Sequence, residues 1–314
     1  MSNAQPRSQY AKVHGREVHY TEWGTPGSAP LVMWHGLARS GRDFDLIASR
    51  LSDRFHIICP DTIGRGLSQW SDNPDADYCF DVYAEHARAL ADAVGFKTMH
   101  WLGTSMGGSL AMRVAATTLK GRIEKLVIND IGPTFPEAPF ERIKQYVGNP
   151  PEFATITEIE AYFKEIYLPF GHHTDAQWRH MAETSTRRLP NGKVTTHYDP
   201  AIVRQMFVNP GDYELWAHYD AIECPTLVLH GVDSDLLLPE IAEEGAAQRR
   251  MSQRSRAAVM PRGWCKTRTS SWCAIGSCAD QSGPEQRASK CYDSRVSPRR
   301  PRWAIQAATS SRPP

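Results

Sequence analysis

A serine between two glycines is the feature of this sequence whose residue types and spacing best fit covalent chemistry. Residues 103–107 read Gly-Thr-Ser-Met-Gly, which fits the pattern G-x-S-x-G. The apolar run MHWLGTS predicts a strand that ends at Ser105, and GGSLAMRVAATTL predicts a helix after it. The glycines leave room for a sharp turn that lifts the hydroxyl above the carboxyl end of a sheet. We therefore expect Ser105 to be a nucleophile and the backbone N–H of Met106 to be an oxyanion donor.

A second predicted strand end supplies the other oxyanion donor. In the segment WHGLARSG (residues 34–41) the predicted strand ends at a His-Gly pair, and the glycine lets the backbone turn back over the sheet. The N–H of Leu37 is then the expected second donor. A histidine at such a position more often anchors the loop by hydrogen bonds, so we do not expect His35 to be a catalytic base.

The glycine-containing segment DTIGRGLS (residues 61–68) could be mistaken for a phosphate-binding loop. It lacks both G-x-G-x-x-G and the Lys-Ser/Thr pair of a P-loop. The segment therefore predicts a structural turn.

A serine hydroxyl needs a base to accept its proton and an acid to orient that base. Catalytic groups of open α/β sheets collect at the carboxyl ends of the strands. Asp233 and Asp235 follow one predicted strand, in LHGVDSDLLLP (residues 229–239), and Asp130 follows another. Asp130 precedes Ile-Gly-Pro, which is equally good turn chemistry. The residues alone leave the three aspartates as alternatives.

Strand-like and helix-like segments alternate along most of the chain. Buried-strand runs lie at residues 17–24, 31–36, 55–61, 99–105, 125–132 and 226–231. Between them, apolar residues three and four apart predict helices packed on a sheet. This pattern predicts an α/β fold with a mostly parallel sheet flanked by helices. Residues 133–220 break the alternation with aromatic-rich helical segments, which predict a helical cap over the end of the sheet.

Composition argues against several classes of protein. No run of about 18 apolar residues is present, so we expect no membrane span. The first 20 residues contain no apolar signal region, which favours the cytoplasm. The cysteines form no C-x-x-C pair, so we expect reduced thiols without a disulfide framework or a metal site. We also expect no cofactor and no nucleic-acid partner.

In combination, the nucleophile turn, the His-Gly strand end and the late aspartate resemble the α/β-hydrolase superfamily over residues 17–238. Members with SDLL in this loop use its aspartate as the triad acid, which implies Asp235 here. Within the superfamily the chain is similar to bacterial carboxylesterases and to relatives that hydrolyse short hydroxyalkanoate oligomers or carbon–carbon bonds. The resemblance implies a serine hydrolase that cleaves small-molecule esters through an acyl-enzyme.

The triad histidine of that superfamily is absent from its expected place. It should follow the acid by roughly 25 to 30 residues, in the chain order Ser, Asp, His, but His230 is the last of the twelve histidines. Residues 245–314 contain 14 basic and 3 acidic residues and neither Leu nor Phe, whereas the rest of the chain has 22 basic and 32 acidic residues. We therefore expect an atypical or disordered ending and impaired activity.

Back-translation suggests why the histidine is missing. In the frame that begins on each codon's third base, the codon spanning Val259 and Met260 encodes His, Asn, Asp or Tyr, and the next codon must encode Ala. Gly-His-Ala-Pro is thus permitted, with its histidine near position 260. Our interpretation is a frameshift close to residue 244. A natural basic tail that binds nucleic acid or an anionic surface is the alternative.

These expectations divide the chain into four parts: core residues 1–132, cap residues 133–220, core residues 221–244 with the acid loop, and tail residues 245–314. Two other functions fit the same fold. A carbon–carbon hydrolase would use cationic cap residues, for which the sequence offers Arg142, Lys144, Lys164 and Arg179. A non-catalytic homologue would keep the pocket and bind a small molecule without turnover.

Overall fold

The computed structural model of the chain describes residues 5–167, 171–231 and 233–251. Within these ranges the strands are Arg7–Val13 (β1), Arg16–Trp23 (β2), Ala29–Trp34 (β3), Phe55–Pro60 (β4), Met99–Thr104 (β5), Ile123–Asn129 (β6), Thr186–Arg188 (β7), Val194–Thr196 (β8) and Thr226–Leu229 (β9). The α-helices are Asp45–Leu51 (α1), Pro74–Asp77 (α2), Phe80–Ala93 (α3), Met106–Ala116 (α4), Glu137–Val147 (α5), Ile156–Ile166 (α6), Asp175–Thr184 (α7), Arg204–Val208 (α8), Trp216–Asp220 (α9) and Pro239–Met251 (α10).

The main sheet has the strand order β1-β2-β4-β3-β5-β6-β9. Strands β4, β3, β5, β6 and β9 run parallel to one another, and β1 and β2 join them as an antiparallel edge. The prediction of an α/β fold with a mostly parallel sheet is confirmed. Strand β1 was not predicted. It pairs with β2 through a tight turn in which His14 and Gly15 have φ values of 47° and 82°.

The two faces of the sheet carry separate apolar cores. Along β3, Val32 and Trp34 pack with residues of α3 and α4, whereas Leu31 and Met33 pack on the other face with residues of α1. Alternate side chains of a strand point to opposite faces, so this division follows from the sequence LVMW. Full burial of each such side chain contributes roughly 1.5–3 kcal/mol, which explains why the central strands are apolar throughout.

The predicted cap, residues 133–220, contains helices α5 to α9 and a short hairpin among its described residues, and we keep the name cap for this segment. It has an apolar cluster of its own that contains Ile159, Phe163, Tyr167, Trp178, Ala182 and Val194. Aromatic side chains of the cap therefore pack against one another in this cluster. We predicted a helical cap, but the segment also contains a hairpin, in which β7 and β8 pair antiparallel and β8 is buried. Strands of three residues are too short to show an alternating pattern, so β7 and β8 could not be predicted.

The last described helix crosses the predicted boundary at residue 244. Helix α10 begins at Pro239 and continues to Met251. The predicted atypical final strand and helix, and most of the predicted tail, lie in residues 252–314, outside the described residues. Within the described ranges, no helix is both long and apolar enough to cross a lipid bilayer.

Candidate active site

Ser105 occupies a strained turn between a strand and a helix. It is the single residue between β5 and α4, with φ 50° and ψ −120°, a conformation that residues with a Cβ rarely adopt. Its N–H donates to the carbonyl of Asn129 at 3.0 Å, and its own carbonyl accepts the N–H of Gly108 at 2.8 Å. Among the described residues, none forms a hydrogen bond with Ser105 Oγ. The fold holds the backbone tightly and leaves the hydroxyl available.

The glycines of the G-x-S-x-G pattern are required by close approach of backbone atoms. A Cβ on Gly103 would lie 2.1 Å from the carbonyl oxygen of Gly107, and a Cβ on Gly107 would lie 2.1 Å from the carbonyl oxygen of Trp34. Both distances are far below van der Waals contact. The spacing is thus fixed by the packing of α4 against β5 and β3.

Leu37 and Met106, the two expected oxyanion donors, lie beside the nucleophile. Met106 is the first residue of α4, so its N–H has no acceptor inside the helix. A Cβ on Gly36 would lie 3.6 Å from Ser105 Cβ, which places the loop containing Leu37 against Ser105. In the described part of the chain, neither N–H donates a hydrogen bond to another residue. Both groups can therefore receive an oxyanion.

His35 anchors this loop. Its Nε2 accepts the N–H of Thr62 at 2.9 Å, so its proton resides on Nδ1, which donates to the carbonyl of Gly36 at 2.6 Å. The ring is fully buried, and burial lowers its pKa to about 4. Because both nitrogens are occupied, His35 is not placed to accept a proton from Ser105, as expected.

The DTIGRGLS segment is a structural turn, as predicted. The buried Asp61 carboxylate accepts the N–H groups of Gly41 and Leu67 at 2.7 and 2.9 Å and lies 2.7 Å from His19 Nδ1. Burial alone would raise the pKa of the Asp61 carboxyl group. The hydrogen bonds that it accepts and the nearby His19 have the larger effect, so the pKa of Asp61 lies below its usual value. Gly66 has φ 52°, and a Cβ there would lie 2.1 Å from Asp61 Oδ2.

The structure places the three candidate acids in different surroundings. Asp235 is exposed and accepts a hydrogen bond from Arg142 of α5 at 2.5 Å, which raises the pKa of Arg142. Asp233 is also exposed. Asp130 has φ 58°, and its Oδ1 accepts the N–H of Gly231 at 2.8 Å. Asp130 thus ties the ends of β6 and β9 together, while no described histidine contacts Asp235.

Arg39 is a residue near the site that the sequence analysis did not identify. It is buried and donates two hydrogen bonds to Asp43, at 2.9 and 2.5 Å. Its guanidinium lies 4.9 Å from the ring centre of Tyr167 and 5.9 Å from that of Phe163, both in the cap. Arg39 therefore links the Leu37 loop to the cap. The only signal in the sequence was an Arg-Asp spacing of four residues, which ordinarily indicates an exposed helical pair.

Among the described residues, no group of three or more His, Cys, Asp or Glu side chains could hold a metal ion. Cys59, Cys79 and Cys224, the cysteines of the described residues, are not joined in disulfides.

Similarity to known proteins agrees with this geometry. Residues 29–256 match the model of the alpha/beta hydrolase fold family. The chain is 36% identical over 239 residues to the 3-hydroxybutyrate-oligomer hydrolase of Cupriavidus necator, a match that covers 73% of this chain and 81% of that protein. It is 37% identical over 234 residues to the N-formylmaleamate deformylase of Pseudomonas putida, which covers 73% of this chain and 80% of that protein.

A solved structure shows the same architecture. An α/β hydrolase from Novosphingobium aromaticivorans superimposes with a TM-score of 0.72 and 27% identity, covering 88% of this chain and 98% of that one. The family model spans more than half of the chain, and two hydrolases more than 30% identical to it match over most of their own length. This chain therefore belongs to the α/β-hydrolase fold family.

Proposed function

We propose that the chain is a serine hydrolase that cleaves carboxylic esters of small acyl groups, with Ser105 as its nucleophile. The observation that carries this proposal is the strained Ser105 backbone, held between β5 and α4, with no described residue hydrogen-bonded to its hydroxyl. Strain of this kind persists only where the surrounding structure enforces it, and it concentrates at functional sites.

In this reaction Ser105 Oγ attacks the ester carbonyl carbon, and the carbonyl electron pair moves onto oxygen. The N–H groups of Leu37 and Met106 stabilise that oxyanion. The tetrahedral intermediate then expels the alcohol, which takes up a proton, and water hydrolyses the acyl-enzyme. Loss of one oxyanion donor lowers kcat by about 10²–10³-fold in a well-studied serine protease, so the two free N–H groups support the assignment.

The proton of Ser105 needs an acceptor, and we propose that Asp235 would orient a histidine that this sequence lacks. No histidine follows Asp235 in the sequence, and Arg142 occupies the Asp235 carboxylate instead. Loss of a triad base lowers the rate by about 10⁴–10⁶-fold. We therefore expect very low turnover by this chain and efficient turnover by a version read in the alternative frame after residue 244. In the gene, this account requires Val259 to be encoded by GTC.

Esters of hydroxyacyl groups are the proposed substrate class. One relative is named for 3-hydroxybutyrate oligomers. In the cap, burial raises the pKa of the Tyr198 phenol, and the nearby Tyr167 raises it further. A phenol hydroxyl of this kind offers a hydrogen-bond donor for a polar acyl chain. We place the reaction in the cytoplasm, and the described cysteines, which are not joined in disulfides, are consistent with this proposal.

The substrate class is tested with the frame-restored protein and its Ser105→Ala variant. A 3-hydroxybutyrate dimer, p-nitrophenyl butyrate and a β-diketone are offered separately. We expect both esters to be cleaved and Ser105→Ala to abolish cleavage. Cleavage of the β-diketone alone would favour carbon–carbon hydrolysis, a reaction in which cationic residues of the cap would bind the substrate. Binding of the dimer without any product would favour a non-catalytic homologue.

A further inference from the structure

Arg65, at the centre of the DTIGRGLS turn, reaches both proposed oxyanion donors. Its Nε donates to the carbonyl of Leu37 at 2.9 Å, and one terminal nitrogen lies 3.6 Å from the sulfur of Met106. The other terminal nitrogen donates to the carbonyl of Ile63 at 2.8 Å and to the hydroxyl of Tyr83 at 2.7 Å. The guanidinium thus spans the strand-end loop and the start of α4.

Within the described residues, the buried charge of Arg65 has no partner of opposite charge. The side chain has no measurable exposure, and no carboxylate among those residues lies within ion-pair distance of it. The rings of Tyr78 and Tyr83 lie near the guanidinium, with their centres 5.5 and 5.2 Å away. An arginine stays protonated in proteins, and burial of an unpaired charge is unfavourable. A structural turn alone does not require a cation at this position.

The backbone around Arg65 is attached to the cap. The N–H of Gly66 donates to the carbonyl of His197 at 2.9 Å, and the N–H of Asp199 donates to the carbonyl of Gly64 at 2.8 Å. Arg65 itself forms an isolated antiparallel bridge with Tyr198. The backbone of the turn is therefore fixed by hydrogen bonds to the cap, and the side chain of Arg65 contacts the residues of the two proposed oxyanion donors.

We propose that Arg65 is a positioning residue for the oxyanion hole. By holding the Leu37 carbonyl and the Met106 sulfur, it orients the N–H groups of both residues toward the oxyanion. Its unneutralised charge also favours the negative charge that develops beside it. This inference rests on the proposed function, because it assumes that Leu37 and Met106 receive an oxyanion.

The test uses the whole 314-residue chain and a ligand that needs no turnover. n-Butylboronic acid forms a bond between boron and Ser105 Oγ, releases the hydroxyl proton to solvent and leaves a tetrahedral anion that mimics the intermediate. Butyramide is the uncharged comparison. Dissociation constants for both are measured by calorimetry for the unsubstituted chain and for Arg65→Met, Arg65→Lys and Tyr83→Phe.

We expect Arg65→Met to weaken boronate binding on the order of 30-fold, since a single oxyanion donor is worth about 10²–10³-fold. Butyramide binding should change by less than about threefold, because an uncharged ligand gains little from oxyanion alignment. Arg65→Lys keeps the charge and should recover part of the loss. Tyr83→Phe removes the hydrogen bond between Arg65 and the Tyr83 hydroxyl and leaves Leu37 and Met106 unchanged, so it should weaken boronate binding by about threefold. These two variants remain informative if Arg65→Met does not fold.

Arg122→Met is the matched control. Arg122 also donates to two backbone carbonyls, those of Phe96 and Lys97, but it does not contact the site. Its substitution should leave both dissociation constants unchanged. Equal weakening of boronate and butyramide by the Arg65 variants would show a general structural role and overturn the proposal, as would no effect on either ligand. If the unsubstituted chain shows no Ser105-dependent boronate binding, the proposed nucleophile fails and this inference fails with it.

Discussion

Ser105 and Asp235 stand in two regions of the site that the fold supports to very different degrees. The nucleophile half (residues 34–41, 61–68 and 103–108) consists mainly of buried groups whose hydrogen bonds are satisfied by neighbouring backbone, as for His35. The acid half (residues 229–239 with Arg142) presents an exposed carboxylate in a single ion pair. In the nucleophile half, groups from three separate strand ends support one another.

This difference separates the preorganised part of the proposed site, which is the Ser105 turn with its two N–H donors, from the missing part, which is the triad base. Burial of a polar group is costly unless the group is hydrogen-bonded, and Ser105, His35 and Asp61 in the nucleophile half all have backbone partners. This half therefore keeps its geometry without any help from a triad base. An exposed aspartate can exchange one partner for another at little cost, because surface ion pairs contribute only about 0–1 kcal/mol. In the proposed function, the chain therefore retains an assembled oxyanion site while its proton-transfer site lacks a base.

The largest effect is expected from a methyl group in the nucleophile half. Gly107→Ala places a Cβ 2.1 Å from the carbonyl oxygen of Trp34, so α4 must move away from β3. We expect the free energy of unfolding to fall by about 3 kcal/mol or more, as measured by urea denaturation. Gly211→Ala is the control, because a Cβ there meets no atom within 4 Å. Equal stability of the two variants would mean that the close approach is absent.

Acid sensitivity is the second expected effect. Burial lowers the pKa of His35 to about 4, whereas an unfolded histidine titrates near 6.5, so between these values the unfolded state binds more protons. The contribution of neutral His35 to stability is therefore complete above about pH 6.5 and is lost as the pH falls toward 4. We expect about 2 kcal/mol of loss between pH 6.5 and 5 from this residue.

The measurement is the free energy of unfolding as a function of pH for the unsubstituted chain and for His35→Gln. The variant should show a smaller slope in this range. It should retain a residual slope from the buried His86, whose pKa burial also lowers to about 4. Identical slopes for the two proteins would contradict the buried, neutral state of His35.

The smallest effect is expected in the acid half. Asp235→Asn and Arg142→Met, measured singly and together by thermal unfolding, should give a coupling energy below about 1 kcal/mol, because both side chains are roughly half exposed. The coupling should weaken further in high salt. A coupling above about 2 kcal/mol would show that this pair is a structural element comparable to those of the nucleophile half.

The sequence was most informative where backbone atoms touch. Gly103 and Gly107 are fixed by contacts that only glycine allows, so their spacing identified the Ser105 turn. Apolar runs identified the five parallel strands of the main sheet because buried parallel strands are apolar on both faces. Strand β1 escaped prediction because most of its residues are exposed and its pairing depends on the turn at His14 and Gly15.

Long-range polar contacts could not be predicted from the sequence. Arg39 and Arg65 lie in loops, and their importance comes from partners brought near by the fold, such as Tyr167 in the cap and Met106 at the start of α4. A single arginine in a turn has no periodicity that would indicate burial. The choice of Asp235 rested on resemblance to a family, and it remains a prediction.

The central claim is tested most directly by the initial rate of p-nitrophenyl butyrate hydrolysis. The rate is measured for this chain and for the frame-restored protein, each beside its Ser105→Ala variant. The account predicts rapid hydrolysis by the restored protein alone, a rate about 10⁴–10⁶-fold lower for this chain, and complete loss in the restored Ser105→Ala variant. Rapid hydrolysis that survives Ser105→Ala, or equal rates for this chain and the restored protein, would contradict it.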